Sequence, residues 1–260
     1  MARLIGCRIH TLDEVASTQS VLAALASEGA PEGTVVTARH QTGGRGRQGR
    51  RWWDAPGESV LLSALLRPSV PPARVPELSL VTGLAITDAL EAGAGVTGRI
   101  RWPNDVLIGG RKVCGILADA MSVGAGRVGH VILGIGLNVN QTAFPAELTD
   151  RATSLHLATG RAHEPDRLLG AVLDALDRRY AQWRAGGFGG LRAEWRGRAA
   201  TIGERVLMPD GRPGVAVDVA ADGALLVDVG DGVRARVVSG PLGEEPARDA
   251  TEAERDAARH

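Results

Sequence analysis

The chain has 260 residues with 30 basic and 30 acidic side chains, so it carries no formal net charge, and 44% of it is hydrophobic. This is the composition of an ordinary globular protein, and the charge balance argues against a nucleic-acid scaffold. Apolar runs stop at about eight residues, Ser59 to Leu66 among them, well short of the ~20 that span a bilayer, and the start lacks a signal-peptide pattern. A cytoplasmic protein without membrane association is expected. Cys7 and Cys114 are too few for a disulfide framework and lack metal-ligand spacing.

In chain order, Thr18 offers an N-cap, and Val21, Leu22, Leu25 and Ala26 follow at helical spacing before Gly29 and Pro31, which predicts a helix over 18–28. Thr34 to Arg39 and Ser59 to Arg67 read as strands around a Gly/Arg loop from Gly43 to Arg51. Leu78, Val81, Leu84, Ala85 and Leu90 restore a helical period over 75–93. Arg99 to Trp102 is extended. Val106 to Ile108, Gly109-Gly110 and Val113 to Ala120 form a hairpin pattern, and Val128 to Asn140 is a further strand. Leu168 to Trp183 carries the stripe of a long amphipathic helix. Four short strands then run from Arg205 to Val238 with Asp210-Gly211, Asp222-Gly223 and Asp231-Gly232 between them, the pattern of a small all-β barrel. From Glu244 to His260 large apolar side chains are missing, so a disordered or weakly helical tail is expected.

Of the 30 basic residues only Lys112 is a lysine, leaving 29 arginines. A chain that has exchanged nearly every lysine for arginine marks the survivor as a candidate for a place where a compact ammonium is needed. In a regular hairpin Lys112 shares an apolar face with Cys114 and Ile116, where it either snorkels to the sheet edge or meets an anion. The segment Gly43 to Arg51 holds four glycines and four arginines. It reads as a loop closing on a phosphate or carboxylate, as an RNA-binding Arg-Gly stretch with Trp52 and Trp53 as stacking platforms, or as a plain surface loop. Its place between two strands favours the first. Asn104, Asp105, Asn138 and Asn140 serve equally as turn or strand-end residues or as ligand donors.

Taken in order, Ser17-Thr18-Gln19, Gln41-Thr42-Gly43-Gly44-Arg45-Gly46-Arg47, Arg101-Trp102-Pro103-Asn104-Asp105, Gly110-Arg111-Lys112-Val113-Cys114-Gly115-Ile116-Leu117 and Gly134-Ile135-Gly136-Leu137-Asn138-Val139-Asn140 resemble the motifs of biotin protein ligases. The resemblance runs from about Ser17 to Leu242. It implies an α+β fold, with a central mixed β-sheet flanked by helices as in class II synthetases over 1–196, a small SH3-like β-barrel over 197–243, and a tail over 244–260. It also implies an enzyme that uses ATP and Mg2+ to turn biotin into biotinyl-5'-adenylate. The biotinyl group then passes to a lysine of a biotin carboxyl carrier protein domain of a biotin-dependent carboxylase.

Position by position, the resemblance assigns biotin binding to Ser17, Thr18, Gln19, Gln41, Arg45, Gly46, Arg47, Lys112 and Gly115. It assigns ATP binding to Arg47, Arg50, Arg51, Trp53, Asn104, Lys112 and Asn138, catalysis to Lys112, Arg45 and Arg47, and Mg2+ to Asp105. Gln19, Arg101 and Gln48 stand where the family often has Asn, Lys and Arg. Many relatives carry an N-terminal winged helix-turn-helix; the few residues before Ser17 lead us to expect no repressor role, no nucleic-acid partner, and a monomer or weak homodimer.

Overall fold

The computed structural model describes residues 3–122, 127–240 and 242–244. β1 (Arg8–Val15), β2 (Thr34–Gln41), β3 (Ser59–Leu66), β4 (Arg99–Arg101), β5 (Asp105–Ile108), β6 (Arg111–Ser122) and β7 (Val128–Asn138) build a seven-stranded sheet in the order β1-β2-β3-β7-β6-β5-β4. β1 and β2 run parallel and the remaining neighbours antiparallel, so the sheet is mixed. β1 has no counterpart among the strands expected from sequence. None of its residues is fully buried, so no apolar alternation marks it, and its partner β2 fixes it in place.

α1 (Thr18–Ser27) covers one face of the sheet, placing Leu22 and Ala26 on Val36, Leu65 and Ile132. α2 (Val75–Ala94) and α4 (Pro165–Gly186) cover the other, where Leu84, Leu173 and Tyr180 join Val60, Leu62, Leu133 and Ile135 in the main core. α2 is apolar round most of its circumference because it is enclosed on several sides: Ile100 lies against Gly83, Leu168 against Gly93, and Leu80 against Gly223. Two short helices, α3 (Leu155–Thr159) and α5 (Arg192–Arg198), precede and follow α4 in the chain.

β8 (Arg205–Leu207), β9 (Pro213–Val219), β10 (Leu225–Asp228), β11 (Arg234–Val237) and β12 (Gly243–Glu244) form a second, antiparallel sheet in the order β11-β10-β9-β8-β12. Its Asp-Gly corners hold Gly211, Gly223 and Gly232 at φ of 84, 85 and 72. It docks on the larger sheet through Trp102, whose indole donates to the Gly223 carbonyl at 3.0 Å and whose N–H donates to Thr201 Oγ1 at 2.7 Å. The boundary expected after residue 196 falls inside α5. Of the expected tail, Glu244 closes β12 and the rest lies outside the described residues.

The hairpin expectation needs one correction. Gly109 and Gly110, at φ of 55 and 78, make the turn between β5 and β6, but the register then slips: Leu107 pairs with Lys112 while Val106 pairs with Cys114. Val113 is the extra residue of a β-bulge. Paired residues of an antiparallel ladder share a face, so Lys112 joins Asp105 and Gly115 and leaves the face of Cys114 and Ile116.

Candidate active site

The bulge turns Lys112 toward the α1 face, where the central strands have shed their side chains. Gly115 pairs with Gly136, Leu117 with Gly134, and Gly134 in turn with Ser63. This row of small residues leaves backbone as the floor of a cavity. Thr18 and Gln19 of α1, Gln41 of β2, Arg45, Gly46, Arg47 and Trp52 of the Gly/Arg loop, and Asn104, Lys112 and Leu117 wall it.

The Gly/Arg loop is itself a small hairpin. The Trp52 N–H donates to the Gly44 carbonyl at 2.9 Å, the Gly46 N–H to the Arg50 carbonyl at 2.7 Å, and Arg45 bridges to Arg51. This ladder sends the two adjacent tryptophans opposite ways. Trp52 lies over the glycine floor, with its Nε1 buried and without a partner among the described residues, whereas Trp53 packs on Phe144 at a centroid distance of 5.5 Å. A Cβ built on Gly136 falls 2.5 Å from the Trp52 ring, and one on Gly115 falls 2.7 Å from it. Gly136→Ala is therefore expected to displace the indole and raise the KM for biotin, the substrate the sequence resemblance implies, at least about ten-fold, since a methyl at that distance is a steric conflict. Steady-state kinetics with tryptophan fluorescence checks it, and an unchanged KM contradicts it.

The polar walls are organised. Gln41 Oε1 accepts from the Thr18 N–H at 2.7 Å and from Thr18 Oγ1 at 3.0 Å, and that hydroxyl also meets Ser63 Oγ at 2.9 Å. With its oxygen occupied, Gln41 has only its amide N–H donors left to offer. Gln19 Nε2 reaches the Leu117 carbonyl and Asp119, both at 3.4 Å. Arg47 donates to Asn104 Oδ1 at 3.2 Å, and Asn104 Nδ2 is tied to the Ile116 carbonyl at 2.7 Å. Partial burial draws the Arg47 guanidinium below its ordinary value, against the pull of Asp105. Lys112 Nζ lies 2.6 Å from Asp105 Oδ1 and 5.5 Å from the centre of the Trp52 ring. Arg45 donates to Ser20 Oγ at 2.9 Å.

Several expected site residues lie apart from these walls. Ser17 is buried at the start of α1 without making a side-chain cap bond. Arg50 and Arg51 are exposed and reach Gln48 Oε1 and the Thr42 carbonyl. Asn138 Nδ2 donates to the Thr153 carbonyl at 3.0 Å, and Asn140 exchanges two hydrogen bonds with the His163 backbone. Both asparagines act locally as clamps on the segment after β7. Among the cavity contributors that sequence reasoning did not assign are Trp52, Leu117, Gly134 and Gly136. The alternating glycines of the otherwise apolar β7 were the available signal.

The family model for the biotin/lipoate A/B protein ligase family matches residues 12–138. The biotin--[acetyl-CoA-carboxylase] ligase of Mycobacterium tuberculosis is 38% identical over 233 residues, 86% of this chain and 84% of that protein. The chain belongs to the biotin protein ligase family. The bifunctional ligase/repressor BirA of Bacillus subtilis is also 38% identical, over 89% of this chain and 72% of its own. Among solved structures, the biotin protein ligase of Aquifex aeolicus in complex with biotin and ATP superposes with a TM-score of 0.77 at 29% identity, covering 91% of this chain and 98% of that one. The present chain is thus a biotin ligase, and the mixed sheet with flanking helices is that family's architecture. No helix among its described residues is long and apolar enough to cross a membrane.

Proposed function

We propose that the enzyme joins biotin to ATP, giving biotinyl-5'-adenylate and pyrophosphate, and then transfers the biotinyl group to a lysine of a biotin carboxyl carrier protein domain such as that of acetyl-CoA carboxylase. The observation that carries this reading is the placement of the chain's only lysine in a cavity with Arg45 and Arg47, above a floor of bare backbone. In the first step a biotin carboxylate oxygen bonds to the α-phosphorus as the bond to the β-phosphate oxygen breaks. Two anions approach one another, and the rate depends on positive charge aimed at the oxygens that crowd together. Lys112 supplies a point charge able to lie between two oxygens, and the half-buried Arg47 supplies a fork whose field water screens less.

In the second step the acceptor amine attacks the acyl carbon and AMP leaves. Thr18, Gln19, Gln41 and Gly115 are assigned to the ring end of biotin, with the Gln41 N–H groups as donors to a carbonyl there. Asn104 and the loop arginines are assigned to the nucleotide side. Asp105 is the one carboxylate beside Lys112, and among the described residues no three metal-ligating side chains converge. A single carboxylate fits a magnesium ion that arrives with the nucleotide, and Asp105 would be the residue that holds it. When bound, that ion neutralises phosphate charge.

We read the antiparallel C-terminal sheet with its Asp-Gly corners as an SH3-like barrel.

Transfer of biotin to an isolated carrier domain, read by intact mass, tests the function. One addition on the carrier's lysine is expected, and an unmodified carrier in the presence of formed adenylate contradicts it. In the same assay the ligase should label itself only slightly, because loosely held adenylate acylates amines and this chain offers only Lys112 and its N-terminal amine. Several additions per ligase chain contradict that expectation.

A further inference from the structure

At the base of the Gly/Arg hairpin lies a pair that the reaction as derived does not use. The Asp54 side chain is fully buried, and one of its oxygens accepts from His40 Nδ1 at 2.8 Å and from the Gln41 N–H at 3.3 Å. Its other oxygen is buried without a protein partner among the described residues. A half-satisfied buried carboxylate is a poor device for stability, because the unpaired oxygen has lost its water. Its position suggests a different use.

The two limbs of the hairpin are held unequally. The first is hydrogen-bonded to the end of β1, from the Thr42 N–H to the Val15 carbonyl and from the Gly43 N–H to the Ala16 carbonyl, both at 2.9 Å. The second leaves the ladder at Trp52. β2 and β3 are paired only as far as Ala38 and Leu61, so Gln41 has no β3 neighbour, and the Asp54 carboxylate takes the place of that missing strand. Two residues before Asp54, Trp52 lies on the glycine floor; one residue after His40, Gln41 presents its amide to the cavity. A shift at this joint is therefore passed directly to both.

We propose that His40 and Asp54 are positioning residues for the substrate-closing loop: their contact clips its second limb to the end of β2 and so pre-sets Trp52, Arg45 and Arg47 over the cavity. This rests on the biotin-activating reading of the site. A clip acts by reducing the ordering that substrate must impose, so its loss falls on binding more than on the saturated rate.

The test is steady-state adenylate formation by the whole chain with biotin and ATP, for His40→Ala, Asp54→Ala, the double variant and His40→Gln, each with a thermal melt. Each alanine variant is expected to raise the biotin KM about ten-fold, the scale of one charge-assisted hydrogen bond, with kcat within about three-fold. The double variant should not exceed the larger single effect, because the two residues act as one unit. His40→Gln, whose amide can still donate to Asp54, should recover most of the loss. An unchanged KM with a lowered Tm, or effects that multiply in the double variant, overturns the proposal. If Asp54→Ala does not fold, the partly exposed His40 and its Gln rescue decide the matter. Wild-type protein that forms no adenylate refutes the activation reading, whereas active wild-type with unaffected variants refutes the clip alone.

Discussion

Replacement of Lys112 by arginine is expected to slow biotinyl-adenylate formation at least about 30-fold, roughly 2 kcal/mol of transition-state stabilisation and the scale of removing one preorganised donor. The substitution keeps the positive charge, so the loss must come from shape. Lys112 Nζ and Cε both lie 3.0 Å from where a Gly115 Cβ would stand, and the ammonium sits under the Trp52 ring while touching Asp105. A guanidinium is larger and planar, and in that space it meets the ring or the strand before it can lie between a carboxylate and a phosphate. Single-turnover mixing with ATP and biotin checks this. Near wild-type rates would show that charge alone suffices.

The largest stability effect is expected far from the cavity. Arg179 of α4 is buried and donates to both oxygens of Asp88 on α2, at 2.7 and 3.0 Å, and to both oxygens of Glu194 on α5. Arg198 of α5 closes the network by donating to Asp88 at 2.6 Å and Glu194 at 2.9 Å. Removing one member of a buried network leaves partners uncompensated, at about 3–5 kcal/mol when fully buried. Glu194 is partly exposed, so Arg179→Met is expected to cost about 3 kcal/mol, a fall in Tm of roughly 5–10 °C.

The pH dependence has a definite sign. Burial pushes Asp88 up, but hydrogen bonds from Arg179 and Arg198 more than reverse it, and its pKa lies below the ordinary value. The hydrogen bond from Arg179, working against partial burial, lowers Glu194 likewise. A carboxylate depressed in the folded state contributes stability above its unfolded pKa, near 4, and loses it as pH falls through the folded value. The gap between wild type and Arg179→Met should therefore be widest near neutrality and narrow below about pH 4. Thermal melts from pH 7 to 3 measure it, and a gap that widens on acidification contradicts the assignment.

What could be read from the sequence follows from where the physics is local. The three longest helices announce themselves because apolar residues recur in each at helical spacing, and the Asp-Gly corners of the small sheet are fixed by glycine's access to positive φ. β1 is illegible because its stability comes from parallel pairing across about 25 residues with β2, and no apolar face is needed for that. The side on which Lys112 stands is hidden from the sequence for a similar reason. Strict alternation carries it to the Cys114 face, and only the slip between Val106 and Leu107 reverses it. Trp52 and Trp53 have the same chemistry and adjacent places, so only the ladder of the Gly/Arg hairpin separates the one over the cavity from the one on Phe144. The His40–Asp54 contact joins residues on either side of that hairpin, and nothing in spacing or composition pairs them.

The most direct test of the central claim is to incubate the purified protein with ATP and magnesium, with biotin or lipoate in parallel, and to detect adenylates and pyrophosphate by mass spectrometry. Biotinyl-adenylate with stoichiometric pyrophosphate, and little or none with lipoate, is the result this account predicts. Adenylate with lipoate alone, or with neither acid, would contradict it.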